Sequence, residues 1–274
     1  GEKNGSIVTD HPNIYSGDFA SPEMIIPPGG MKDLNGKPIP WELCATMNNH
    51  WGYCYYDHTY KTSQTIIRKL VECVSKGGNF ILNVGPDAKG RIPKESQEIL
   101  TQVGEWMEQN GESLYECGIS EYDKPEWGRY TQKGNTVYAH IYETPLGALP
   151  LYGISPQEVG TITFLSSGAQ VQRGEAWNTA MYSDTPFVAL GENPVFSYPL
   201  PDEIDTVLKI ELKKIGLYIR KSLWYTTLGF SRCSVIGQLR PLLNTRRFII
   251  KFKGGSYDDR KRKETGYYCR IWKK

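Results

Sequence analysis

The chain of 274 residues is 39% apolar and 12% aromatic, which supplies burial for one large core or two smaller ones and excludes a disordered polypeptide. It contains no run of 18 apolar residues, so no membrane span is expected, and no basic stretch leading into an apolar one marks a signal peptide. The net charge of +2 is unevenly divided, with 15 Lys and Arg against 27 Asp and Glu in residues 1–212 and 17 against 3 in residues 213–274, so the acidic body is excluded as a nucleic-acid binder and a boundary falls near Leu212.

The first sixty residues are rich in Gly, Pro and aromatics and read as long loops around short strands. From Thr62 a helical period sets in. Ile66, Ile67, Leu70, Val71 and Val74 fall on one face, Thr62 or Ser63 is the N-cap, and Gly77-Gly78 is the stop. The apolar run Phe80–Val84 suits a buried strand, and the loop 85–92 leads to Pro93 as the first residue of a second helix. That helix is marked by Ile99, Leu100, Val103, Trp106 and Met107 and closed by Gly111. Helix, buried strand, long loop and helix form a unit of a parallel α/β sheet or barrel, in which loops after strands carry function. After Tyr115 the helical period disappears. Segments 135–143, 160–165 and 207–212 read as strands of an all-β domain, a sandwich.

Phosphate-binding glycine loops, HExxH helices and GxSxG elbows are absent. The four histidines, at 11, 50, 58 and 140, lack ligand spacing and read as structural or surface residues. The six scattered cysteines form no metal pair and leave the compartment open. The chemistry must therefore come from carboxylates and aromatics. Glu23 follows a tight Pro-containing segment, Glu42 follows Trp41, and the string His50-Trp51-Gly52-Tyr53 comes soon after. Such neighbours suit a sugar, whose apolar face packs on an aromatic ring while carboxylates handle protons and hydroxyls, but an ordinary surface pair has the same appearance.

The strings GDFASPEM, WELCATMNNHWGY, SKGGNFILNVGPDAKGRIP and GEWMEQNGESLY, in that order, closely resemble the α-L-fucosidases of glycoside hydrolase family 29 from about residue 10 to 115, and more loosely to about 212. The resemblance implies an α/β fold: residues 1–113 form the C-terminal part of a (β/α)8-like barrel and residues 114–212 an all-β sandwich. It also implies retaining hydrolysis of terminal α-L-fucosyl residues of oligosaccharides or glycoconjugates, with no cofactor and no metal. It maps the general acid/base onto Glu23, with Glu42 as rival or as a group that orients loops. It maps the apolar wall for fucose onto Trp51, whose other reading is a core aromatic at the barrel rim. The nucleophilic Asp has no counterpart in this chain, so the chain by itself is expected to be inactive. Asn83 and the loop 85–92 are expected to shape the rim without touching sugar.

Residues 213–274 fit neither pattern, with short apolar patches such as 247–250 set among basic clusters such as 260–263. This tail is read as out-of-frame or read-through sequence, a solvated linker, or a basic nucleic-acid-binding appendage. For the whole chain the alternative to a truncated fucosidase is a non-catalytic carbohydrate-binding remnant.

Overall fold

A computed structural model of the chain describes residues 19–33, 35–175 and 178–213, and the backbone of Ile250–Lys251 and Tyr267–Ile271. Strand β1 (Glu42–Thr46) and strand β2 (Asn79–Val84) pair in parallel, joined by helix α1 (Ser63–Ser75). The apolar face of α1 is the one its period predicts: Ile66, Ile67, Leu70, Val71 and Val74 are buried. Thr62 is the N-cap, its hydroxyl accepting from the amide of Thr65 at 3.1 Å. At the other end Gly77 takes a positive φ and donates to Val74, while Gly78 donates to Cys73, a double bond pattern that closes the last turn. Gly78 also lies under the indole of Trp41, where an added Cβ would meet ring carbons at 2.3 Å. The turn into β2 therefore requires glycine for its close approach. Helix α2 (Lys94–Asn110) begins one residue later than the sequence suggests, because Pro93, with ψ of 145°, is extended and serves as the N-cap.

Alternation along the two strands sorts their side chains. Leu43, Ala45, Phe80, Leu82 and Val84 join the helices in one apolar core. The opposite face carries Glu42, Cys44 and Thr46 in register with Asn79, Ile81 and Asn83. A segment before β1 runs parallel to it through the bridges Ala20–Trp41 and Glu23–Cys44.

The remaining strands are β3 (Gly118–Ile119), β4 (Gly128–Lys133), β5 (Thr136–Ile141), β6 (Leu149–Pro150), β7 (Val159–Phe164), β8 (Gln172–Arg173), β9 (Phe187–Ala189) and β10 (Thr206–Leu212). They make an antiparallel sheet in the order β3-β4-β5-β10-β7 and a second, three-stranded sheet β6-β9-β8. Both sheets contribute to one core, with Val137, Ala139, Ile141, Leu208 and Ile210 from the larger sheet and Leu149 and Val188 from the smaller. The larger sheet's other face gives Tyr138 and Val207 to the core of the helices. The three strands expected from alternation are all present, as β5, β7 and β10.

Polar groups fasten the helical layer to the β sheets. Arg68 of α1 donates to the carbonyls of Ile204 at 2.9 Å and Glu203 at 3.1 Å and lies over the Tyr142 ring. Glu72 of α1 binds Arg129 of β4 at 3.0 Å, and Trp106 of α2 donates to the carbonyl of Asp205 at 3.3 Å. Most of the basic tail lies outside the described residues. Its strands β11 (Ile250–Lys251) and β12 (Tyr267–Ile271) extend the first sheet, with β12 antiparallel along the second edge of β2.

Candidate active site

In a parallel sheet, function collects where the strands end and their loops begin. Two loops leave this sheet at that end, 47–62 after β1 and 85–93 after β2. Each is folded by a buried or half-buried aspartate. Asp57 accepts from the amides of Asn49 at 2.8 Å and Thr59 at 3.0 Å and from Nδ1 of His50 at 2.6 Å. The His50 bond, with the two amides, holds the Asp57 carboxyl below the usual range. Asp87 accepts from the amides of Lys89 and Arg91 and from Nε of Arg91, all within 2.9 Å, and its pKa is lowered first by the Arg91 amide. Gly90 completes that turn with a positive φ, donating to the Asp87 carbonyl.

The loops also meet each other. A Cβ on Gly85 would lie 2.7 Å from the carbonyl carbon of Gly52 and 2.8 Å from the nitrogen of Tyr53. Glycine is required there for two backbones to touch. Lys61, whose pKa burial lowers, donates to the carbonyl of Asn48 at 3.0 Å, and Thr46 binds the same carbonyl. A shallow depression between the loops is lined by Met47, Asn48, Tyr53, Cys54, Tyr60 and Gly85. Around it the loop after β1 exposes Trp51 by 37%, Tyr53 by 49%, Tyr55 by 69% and Tyr56 by 88%. Apolar rings offered to water at a strand end suit the carbon face of a sugar.

The structure puts Glu23 and Glu42 on the same face of the sheet at different depths. Glu23 is exposed and level with Cys44, whereas Glu42 is buried at the first position of β1. Two residues of strand separate those levels, about 7 Å. Directly after Glu23 the chain turns away at Met24, which has φ of 60° and donates to the carbonyl of Cys44 at 2.9 Å. A left-handed conformation costs a non-glycine residue about 1–2 kcal/mol, and such strain collects at functional positions. Trp51 lies on the loop beside this strand, half-exposed as a sugar contact requires. Of the four histidines, His11 lies outside the described residues. His140 is fully buried between β strands, while His50 joins the rim through Asp57. Among the described residues no group of His, Cys, Asp and Glu is arranged to hold a metal. The role of Asp57 could have been read only from the pattern Asp-x-Thr, which allows a side chain to cap the amide two residues on.

Residues 2–112 match the sequence model of one family, the alpha-L-fucosidases. The tissue alpha-L-fucosidase of Bos taurus is 34% identical over 179 residues, which are 62% of this chain and 36% of the relative. Among solved structures, alpha-L-fucosidase isoenzyme 1 from Paenibacillus thiaminolyticus is 48% identical with a TM-score of 0.69, covering 73% of this chain and 46% of its own. A GH29 alpha-L-fucosidase from Bacteroides thetaiotaomicron, trapped as a covalent intermediate, is 28% identical with a TM-score of 0.56, covering 72% and 44%. The chain spans less than half the length of each of these relatives. The relatives are glycoside hydrolases, and the part of this chain similar to them is a parallel α/β unit with carboxylates and exposed aromatics near its strand ends, backed by antiparallel sheets. Over residues 2–112, the part that the family model matches, it is similar to the α-L-fucosidases.

Proposed function

We propose that this chain carries the acid/base side of a retaining α-L-fucosidase site that acts on fucosylated oligosaccharides or glycoconjugates. The observation that supports it is the bridge of exposed Glu23 to Cys44, which sets Glu23 on the same face of the sheet as Glu42 and nearer than Glu42 to the strand end from which the aromatic loop leaves. In this reading β1, β2 and the segment before them are the C-terminal part of a (β/α)8-like barrel spanning residues 1–113, and residues 114–212 are its β domain. Trp51 packs on the apolar side of fucose. Protonated Glu23 gives its proton to the glycosidic oxygen as an aspartate attacks C1. The same Glu23 then takes a proton from water as that water releases the sugar with its original configuration. The covalent intermediate of the Bacteroides enzyme supports the two-step course. Glu42, buried at the base of β1, orients the strand and its neighbours and does not meet the leaving group.

The attacking aspartate is not supplied by these residues, so the chain alone binds α-L-fucosides without turning them over. Nitrophenol release from an aryl fucoside and nuclear magnetic resonance titration with methyl α-L-fucoside test this. We expect no release, with fucoside-dependent shifts at Glu23 and Trp51 that Glu23→Gln and Trp51→Ala diminish. Turnover at an enzyme-like rate overturns the assignment of the nucleophile. Failure of the fucoside to shift these residues overturns the site.

A further inference from the structure

The loop after β1 holds a buried acid against an exposed imidazole. The Asp57 side chain is 5% exposed and the His50 side chain 54%. All three groups around the carboxylate point hydrogens at it. The amides of Asn49 and Thr59 can only donate, and the carboxylate, held ionised by them, has no proton to give to Nδ1 of His50. Nδ1 therefore carries the hydrogen, and on the neutral ring Nε2 is left with a bare lone pair. Among the described residues nothing binds Nε2. The amide of His50 is itself fixed, donating to Oδ1 of Asn48 at 3.1 Å. The ring is thus oriented from both its side chain and its backbone, with an acceptor turned to solvent next to Trp51.

We infer that His50 is a specificity residue of this site and that its Nε2 accepts a hydroxyl hydrogen from the sugar to which fucose is attached. Asp57 acts through it as a positioning residue. The inference rests on reading the rim as a fucoside site and deepens that reading. The outer sugar is assigned because His50, Tyr55 and Tyr56 stand further into solvent on this loop than Trp51, whereas Glu23 lies on the sheet that the loop borders. A bare acceptor selects a hydroxyl over an ether at the same position, since only the hydroxyl has hydrogen to give. A histidine free to change tautomer would not make that distinction.

Two measurements on the full chain decide the matter. The first is the tautomer of His50, read from long-range proton–nitrogen correlation spectra at about pH 8, where an ordinary imidazole is neutral. The spectra should show hydrogen on Nδ1 in the parent chain and a mixture in Asp57→Asn, whose amide can also donate. The second compares the affinity for methyl α-L-fucoside with that for a panel of α-L-fucosyl disaccharides of different linkage. The favoured disaccharide should bind more tightly than the methyl fucoside. His50→Ala should abolish about fivefold of that advantage, the worth of one net hydrogen bond, and leave methyl fucoside binding unchanged. Blocking the outer hydroxyls as methyl ethers should cost the parent chain the same factor and His50→Ala nothing. Hydrogen on Nε2 overturns the inference. So does a loss equal for both ligands, or no loss at all, while the fucoside site itself stands if methyl fucoside still binds. Binding of neither ligand overturns the site and the inference with it.

Discussion

A buried polar chain ties the larger antiparallel sheet to the turn after α2, and cutting it should be strongly damaging. His140 of β5 and Asp205, just before β10, are both fully buried, with Nδ1 and Oδ2 2.7 Å apart. On the ring's other side Nε2 is 3.1 Å from the hydroxyl of Thr131, which gives its only hydrogen to the carbonyl of Ser113 at 2.6 Å. Nε2 is therefore the donor, and a second proton lies between Nδ1 and Asp205. The other oxygen of Asp205 is buried with no hydrogen bond. Consider His140→Leu, which keeps side-chain volume and removes only polarity. Stripping one partner from a buried pair costs about 3–5 kcal/mol. Burial already pushes the Asp205 carboxyl up, so it can shed charge by taking a proton, and the loss should lie near the lower end, about 3 kcal/mol. At about 2–4 °C per kcal/mol for a chain of this size, the melting temperature should fall by roughly 6–12 °C. Urea unfolding and calorimetry both measure the change. Adding Asp205→Leu to His140→Leu removes the stranded acid and should recover part of the loss. A cost below about 1 kcal/mol for His140→Leu, or a double variant less stable than the single one, would refute the reasoning.

Further outcomes follow from particular contacts. Gly85→Ala should cost about 1–3 kcal/mol and weaken fucoside binding, because its Cβ would displace the Gly52–Tyr53 backbone; unchanged melting and affinity would show that the loops yield freely. Acid should destabilise the fold below about pH 4.3. Burial raises the Glu72 carboxyl, but Lys76, Lys69 and Arg129 together hold it below the usual range, and Lys209 does the same for Glu112. Such groups stabilise above their unfolded values, and the gain is lost as pH falls through the folded ones. Asp205 has the opposite sign. Its stabilisation is present below about pH 3.9 and lost as pH rises through its raised folded value, so Asp205→Asn should flatten that limb of a plot of melting temperature against pH. Truncation after Lys213 removes β12 from the edge of β2. Amides of Phe80–Val84 should then exchange faster and the chain should self-associate through the bare edge, whereas identical exchange would show that β12 protects nothing.

The parts of the fold legible in the sequence are those whose local and tertiary signals agree. In α1 the apolar period, the Thr62 cap and the Gly77-Gly78 stop all mark one element, and burial follows each of them. Strands β5, β7 and β10 alternate because each has one face in the core of the paired sheets. Strand β4 was not legible, since its sequence GRYTQK reads as polar. Its burial of Thr131 is satisfied by His140 and Ser113, partners distant in sequence. The short strands β3, β6, β8 and β9 owe their pairing to neighbours and have too few residues for any period. At the site, Glu23 was legible only through the resemblance of GDFASPEM to a family, because one exposed carboxylate has no pattern. The pairing of Glu23 with Cys44 is a tertiary fact. Asp57 was largely hidden for a related reason: only its bond to the Thr59 amide has a local pattern, and its other partners, the Asn49 amide and the His50 ring, have none.

The rim owes its shape to the backbone rather than to its aromatic side chains. Asp57 and Asp87 each gather amides of their own loop, Gly90 sets the turn of one, and Gly85 lets the other pass at van der Waals distance. Trp51, Tyr53, Tyr55 and Tyr56 can therefore stay open to water, with Tyr55 and Tyr56 packed edge to face at 5.2 Å, although burying them would gain hydrophobic energy. Because the scaffold is fixed before any sugar arrives, ordering it does not weigh against binding. The tyrosines should then be exchangeable for other rings with small effects on stability, while Asp57→Ala should unfold the rim even though the residue touches no ligand. Loop amide exchange in Tyr55→Phe and in Asp57→Ala checks this, with protection of Asn49 and Thr59 kept in the first and lost in the second. If both variants keep it, the aspartate does not hold the loop, and the fixed imidazole of His50 loses its physical basis.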